Sequence, residues 1–449
     1  MDRAALRVDG ARLLRRIEAL AEIGAIEGPY GSRGSARLAL TDADRDGRDL
    51  VVTWMRDLGL DVAVDEIGNV VATRAGADPT LAPVMTGSHI DTVRTGGRYD
   101  GNLGVLAGLE VIETLEQHGV ATRHPIAVAF FTNEEGARFQ PDMLGSLVYV
   151  GGLPLEEALD IEAIDGPSVG TELTRIGYAG PYPCPAATRP HAFVELHVEQ
   201  GPVLEAEGIG IGAVTGVQGI SWQELTIVGQ SNHAGTTPMA MRHDAVYAAA
   251  EIAVFARRLA LEFGGHQVAT VGAANVTPNL VNVVAATATI TVDLRNTDEA
   301  TLQEAERRLA EHCAALEAAE GVAITRRVLA RFEPVAFDPE VIDLVEATAR
   351  RLGHTTKRLP AGAGHDAQML ARVSPAGMVF TPSAKGISHN PAEHTDPADL
   401  AAGADVLLQV LLALAGEGTR EVTATSPSRS LRLRSRHGDG GAATDGGRR

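Results

Sequence analysis

Cysteine is nearly absent from this 449-residue chain. The two that occur, Cys184 and Cys313, are far apart. They exclude a Cys-rich zinc module and a disulfide framework, and their scarcity fits a reducing cytoplasm. Positive charge is in deficit, with 39 Lys+Arg against 58 Asp+Glu and a formal net charge of −19. Such a surface repels phosphate backbones and argues against nucleic-acid binding. No window reaches the roughly 18 apolar residues that a membrane span requires, so no membrane role is expected. The N-terminal stretch MDRAALRVDGARLLRRIEAL reads as an amphipathic helix without the unbroken apolar centre of a signal peptide. What remains is ample core material, 45% hydrophobic and 22% charged residues, in a chain long enough for roughly two or three domains. Large enzymes and assemblies stay open.

The first half alternates strand-like apolar runs with helical stretches. Asp61–Thr73 and Ala82–His89 read as strands, Leu103–Gln117 as a helix, and Pro125–Thr132 and His191–His197 as strands buried on both faces. This alternation predicts an α/β fold around a mostly parallel central sheet. From about Ile211 the order becomes strand Ser221–Val228, helix Met239–Phe263, strands Gln267–Val276 and Val281–Arg295, helix Glu299–Ala318 and strand Val322–Leu329. That β-α-β-β-α-β order is ferredoxin-like. Helix Pro339–Leu352 follows, with Asp338 as N-cap, then strand Gly377–Pro382 and helix Pro397–Leu414. The expected architecture is one α/β domain from residues 1–210 and 333–418 with an α+β domain inserted at 211–332. Residues 419–449 read as a disordered basic tail, with seven Arg against three acids, which leaves a formal charge near −23 on the rest.

Five stretches concentrate His and carboxylates near strand ends, where open α/β sheets carry their sites. They are Gly87-Ser88-His89-Ile90-Asp91-Thr92, Tyr99-Asp100-Gly101-Asn102, Thr132-Asn133-Glu134-Glu135-Gly136, Glu195-Leu196-His197-Val198-Glu199-Gln200-Gly201 and Ile387-Ser388-His389-Asn390-Pro391. Singly each is weak, because a lone His near a strand end is most often structural and a Glu-Glu pair is usually solvated. Together they point to a metal site. In His-x-Asp, alternation puts both side chains on one side, so the Asp91 carboxylate is expected to hold the second N–H of His89. In Glu-Glu, one carboxylate can bind metal while the other serves as a base.

The strings GSHIDTV, GGRYDGNLGVLAG, NEEGARF, ELHVEQGPVLE, SNHAGTTPM, PNLVNVV and GAGHDAQ resemble N-carbamoyl-L-amino-acid hydrolases. They are also similar to allantoate amidohydrolases and beta-ureidopropionases of the same co-catalytic-metal superfamily. The resemblance runs from about residue 10 to 415. It implies metal ligands at His89, Asp100, Glu135, His197 and His389, with Asp100 bridging two divalent ions (Zn, Mn, Co or Ni). It implies Glu134 as general base, Asp91 as the residue orienting His89, and His233 as a lid histidine that stabilises the reacting group. Asn282 and Arg295 would hold the substrate carboxylate, and Gln218 and the stretch Gly362-Ala363-Gly364-His365-Asp366 would line the pocket.

The implied fold is a metal-binding α/β domain with a lid domain that mediates homodimerisation. The implied substrate is a small ureido acid, hydrolysed to amino acid, ammonia and carbon dioxide, with allantoate as the alternative. Two positions depart from the pattern: Ala361 and Ala137 stand where many relatives carry Ser, and each removes a hydroxyl.

Overall fold

The computed structural model describes residues 3–418, and the basic tail expected over 419–449 lies outside them. A nine-stranded mixed sheet organises the larger part. Its order is Val335–Ala336, Ile211–Val217, Ala376–Thr381, Ala192–Val198, Val84–His89, Ile126–Phe131, Val70–Arg74 and Asp61–Val64, with Thr356–Ala361 paired to Ile211–Val217. The four strands at its centre, Ala376–Thr381, Ala192–Val198, Val84–His89 and Ile126–Phe131, are mutually parallel. Every residue of these four is buried. Helices cover both faces, which is why these strands are apolar without alternation. Antiparallel pairs extend the sheet toward both edges.

Helix Asn102–Gln117 packs on strand Val84–His89, and Gly10–Ala21 and Pro397–Ala415 pack against that helix. Against the expectation of none, Pro397–Ala415 is long and apolar enough to cross a membrane. Leu400, Val406, Leu407, Leu408, Val410 and Leu411 are buried, and it serves as a core helix. Helix Pro339–Arg351 begins as expected: the Asp338 carboxylate accepts the N–H groups of Glu340 and Val341, and Pro339 opens the first turn.

Two expectations about the large sheet need correction. Asp61–Thr73 is a hairpin, not one strand, because the Asp65 carboxylate accepts the N–H groups of Ile67 and Asn69 and turns the chain. Ile211–Val217, assigned to the inserted segment, is hydrogen-bonded into the large sheet, where Thr356–Ala361 joins it in parallel. The chain therefore leaves the large sheet at Gln218 and returns at Val335–Ala336. The Gly- and Ala-rich sequence of that strand has no alternation to mark its sheet.

The inserted segment forms a second sheet in the order Val268–Thr277, Thr287–Asn296, Gly219–Val228 and Ala323–Phe332, all antiparallel. Helices Ala245–Phe263 and Glu299–Glu320 pack on it. Its apolar core, including Leu225, Ile252, Val292 and Leu309, is separate from that of the large sheet. The expected helix Met239–Phe263 starts only at Ala245, where the Asp244 carboxylate caps Val246 and Tyr247. The expected strand Val281–Arg295 is split: Val283–Val284 pairs with Asn232–His233, and Thr287–Asn296 enters the sheet.

Candidate metal centre

The parallel strands deliver their last residues to one end of the sheet. His89 ends one strand, and His197 is the penultimate residue of its neighbour. Nδ1 of His89 donates to the Asp91 carbonyl at 2.9 Å, and Nδ1 of His197 donates to the Val198 carbonyl at 2.9 Å. A carbonyl oxygen can only accept, so Nδ1 carries a proton in each ring and Nε2 is the nitrogen that a cation beside Asp100 would take. Nε2 of His89 is buried and has no hydrogen-bond partner among the described residues.

Asp100 lies between two sets of donors. Its Oδ1 is 3.6 Å from Nε2 of His89 and 3.2 Å from Nε2 of His197. Its Oδ2 is 3.4 Å from Nε2 of His389, whose ring is also 3.2 Å from Oε2 of Glu135. The two groups, His89/Asp100/His197 and Asp100/Glu135/His389, each bring three ligand atoms within 4.8 Å of one another. The resulting donor set of imidazole nitrogen and carboxylate oxygen suits borderline divalent ions. A third grouping, Glu195/His197/His365, is less suited. Both Glu195 oxygens are already used, accepting from Ser88 Oγ at 2.6 Å and from the Ala367 N–H at 2.8 Å.

Gly101 makes the close approach possible. It lies at φ 66, its N–H reaches Nε2 of His197 at 3.1 Å, and a Cβ there would collide with the His89 ring. The Glu134-Glu135 pair is aimed by the residue before it, because Asn133 adopts φ 57 and bends the chain as strand Ile126–Phe131 ends.

Asp91 acts differently from expectation. It does hold His89, but through its backbone carbonyl; its carboxylate is 4.0 Å from Nδ1. That carboxylate instead accepts the N–H groups of Glu134 at 3.2 Å and Glu135 at 3.3 Å. The strand ends at His89, two residues before the alternation argument would need it to, so Asp91 fixes the histidine with its main chain and the acid pair with its side chain.

Burial pushes the Glu134 carboxyl well above the usual carboxylate range; His89 opposes this, while Asp366, Glu135 and Asp100 add to it. Burial also pushes Asp100 upward, but the His197 and His89 imidazoles hold it well below its ordinary value. Burial pulls His89 down, yet Glu134, Asp100 and Asp91 lift it well above the imidazole range. Glu135 raises His389 to about 9. Without a cation, this acid-rich pocket retains protons on its imidazoles; a divalent ion would take their place.

A cavity of about 140 Å³ opens over these groups. Its remaining wall is Asp142, Gln200, Ile220, Trp222, Arg295, Ala363, Gly364 and His365. Arg295 and Ala363 also line an adjoining cleft of about 650 Å³, and Gln218 and Gly362 face that cleft alone. Gln218 donates through Nε2 to the His266 carbonyl at 3.3 Å. Arg295 is held by Asp293, with Nη2 at 2.9 Å from Oδ2, and donates through Nη1 to the Gly362 carbonyl at 2.5 Å.

His233 and Asn282 line neither cavity. They lie together at the tip of the inserted domain, where the Ala234 N–H donates to the Asn282 carbonyl at 2.9 Å. Both are exposed.

Asp142, Ile220 and Trp222 are cavity residues that carried no role in the sequence reading and gave no signal there. His365 belongs to the stretch 362–366 that the resemblance placed along the pocket, and it stands in the cavity wall beside Ala363 and Gly364. Burial drives the His365 imidazole well below its ordinary range, and neither ring nitrogen has a hydrogen-bond partner among the described residues.

Two overlapping ligand sets at the strand ends of an α/β sheet, with a small α+β domain overhead, define a metal-dependent hydrolase. The chain belongs to peptidase family M20/M25/M40, whose signature matches residues 85–413. It is 42% identical over 406 residues to the N-carbamoyl-L-amino-acid amidohydrolase of Rhizobium meliloti, covering 90% of this chain and 96% of the relative. It is 33% identical over 429 residues to the ureidoglycolate hydrolase of Arabidopsis thaliana, covering 92% and 88% respectively. Among solved structures, a hydantoinase/carbamoylase-family amidase from Burkholderia multivorans superposes with a TM-score of 0.88 at 46% identity, covering 92% of this chain and all of that one.

Proposed function

We propose that this amidohydrolase cleaves the ureido C–N bond of N-carbamoyl-L-amino acids, releasing the amino acid, ammonia and carbon dioxide. The observation that carries the reading is Asp100, whose two oxygens face two separate ligand sets beside a buried, unliganded carboxylate, Glu134. His89 and His197 would hold one divalent ion, Glu135 and His389 a second, and Asp100 both. Ions bound there supply Lewis acidity toward the carbonyl and make water a competent nucleophile at neutral pH. Glu134 takes the proton from the attacking water and returns it to the leaving nitrogen, a role suited to a carboxyl that burial holds above its ordinary range. Asp91 keeps Glu134 aimed through its backbone N–H.

Arg295 binds the substrate carboxylate. Asp293 and Gly362 occupy its Nε, one Nη2 hydrogen and one Nη1 hydrogen. One hydrogen on each terminal nitrogen is left for a two-point contact with a second carboxylate.

The chain works as a homodimer through the small domain. Two features support this: His233 and Asn282 lie away from the cavity of their own chain, and the same domain exposes Tyr247, Val254 and Leu261 along one helix and Leu280 and Val281 at its tip. The partner's His233 then donates to the oxygen that gains charge in the transition state.

A panel of N-carbamoyl-L-amino acids, allantoate and ureidoglycolate, assayed for ammonia with defined metals, tests the substrate. Ammonia from N-carbamoyl-L-amino acids at the highest kcat/KM is expected. Ammonia from allantoate or ureidoglycolate alone would overturn the assignment.

A further inference from the structure

The two ligand sets are built unequally. His89 and His197 are buried on adjacent, directly paired parallel strands. His389 is half exposed and sits on a loop at φ 53, without a strand behind it. Its position relative to Asp100 depends on how that loop is tied to the loop Thr92–Asp100. Three side chains make the tie. Thr95 Oγ1 donates to the His389 carbonyl at 3.1 Å, Ser388 Oγ donates to Asp100 Oδ2 at 3.3 Å, and the third is Glu393.

Glu393 lies four residues after His389. Its Oε1 accepts the N–H of Tyr99 at 2.9 Å and the N–H of Asp100 at 3.3 Å. The side chain is buried, and Oε2 has no hydrogen-bond partner among the described residues. It occupies the space above Gly97, where a Cβ would collide with the carboxylate. Asn390 shapes the loop between, accepting the Ala392 N–H on its side chain and the Glu393 N–H on its carbonyl, both at 2.9 Å. A second carboxylate buried beside Asp100 is costly unless it has work to do. Here it joins the backbone of the shared ligand to the loop of a terminal ligand.

We propose that Glu393 is the positioning residue of the second ligand set, holding the Asp100 backbone against the His389 loop so that Asp100, Glu135 and His389 converge on one cation. It touches neither substrate nor the expected ion, and it acts through Asp100 and His389. In the His89/Asp100/His197 set the two histidines keep their geometry from the sheet, and only the shared Asp100 depends on Glu393. Loss of Glu393 therefore weakens the second metal site more than the first.

The test is metal content, read on the full chain after chelation and reloading with zinc. Two equivalents are expected for the natural chain. Glu393→Leu, which removes both acceptors, is expected to retain one equivalent tightly and to bind the second at least tenfold more weakly. Glu393→Asp, one methylene too short to reach both N–H groups, gives the same split and serves if the leucine variant does not fold. Glu393→Gln keeps one oxygen for both N–H groups and is expected to restore two equivalents. His389→Ala is the reference for loss of that set, and adding Glu393→Asp to it is expected to cost no further metal. Two tight equivalents in the leucine or aspartate variant would overturn the proposal, and so would equal weakening of both.

Discussion

The large sheet and the small domain contribute to the site in different ways. The ligands come from five stretches between His89 and His389, yet the sheet brings them together inside one chain. Most are buried and each has its backbone or ring held by a hydrogen bond. The small domain delivers Ile220, Trp222 and one charged side chain, Arg295, to the same cavity and leaves His233 and Asn282 exposed at its tip. A single chain thus assembles the metal-binding half of the chemistry and only part of the groups expected to grip the substrate. Rigid strand ends suit ligands that must converge closely, whereas a projecting domain suits groups that meet the substrate on binding.

The comparison breaks most severely if Glu134 is dispensable. Glu134→Gln is expected to keep its metal and lose kcat by about three to four orders of magnitude, the upper range for a general base; steady-state ammonia release with metal analysis checks both halves. Next, His233→Ala and Glu134→Gln chains should each be nearly inactive alone. Refolded together at equal amounts, they should recover about a quarter of wild-type activity if one subunit supplies His233 to its partner's site, since half the dimers carry one intact site. No recovery would mean that His233 acts in its own chain, and an active His233→Ala chain would mean that it does not act at all.

Arg295→Lys is expected to raise KM by about ten- to a hundredfold with a smaller change in kcat, because a lysine cannot make the two-point contact. The smallest effect is expected at the end of the chain. Removal of residues 419–449, beyond the family match, should leave kcat/KM within about twofold.

Much of this arrangement was legible in the sequence, and the parts that were not share a cause. Continuous runs such as those at 125–132 and 191–197 identified the buried strands, and the His and acid residues just past them identified the ligands. These signals are local: an apolar run and a polar residue at its end. The role of Asp91 was only half legible, because whether its carboxylate or its carbonyl meets His89 depends on where the strand stops. Strand Ile211–Val217 escaped because its partner Thr356–Ala361 is distant in sequence and neither run alternates. Glu393 was invisible for the same reason: its partners are the N–H groups of Tyr99 and Asp100, which no spacing rule connects to it. His233 and Asn282 were recognised by resemblance, but only the fold reveals that they lie outside their own chain's cavity.

The most direct test of the account is to strip the protein with a chelator and add back zinc in fractions of an equivalent. Bound metal and ammonia release from an N-carbamoyl-L-amino acid would be followed on the same samples. The account predicts little turnover while the first equivalent fills and a steep rise as the second does. Full turnover at one equivalent, or ammonia release that survives chelation, would contradict it.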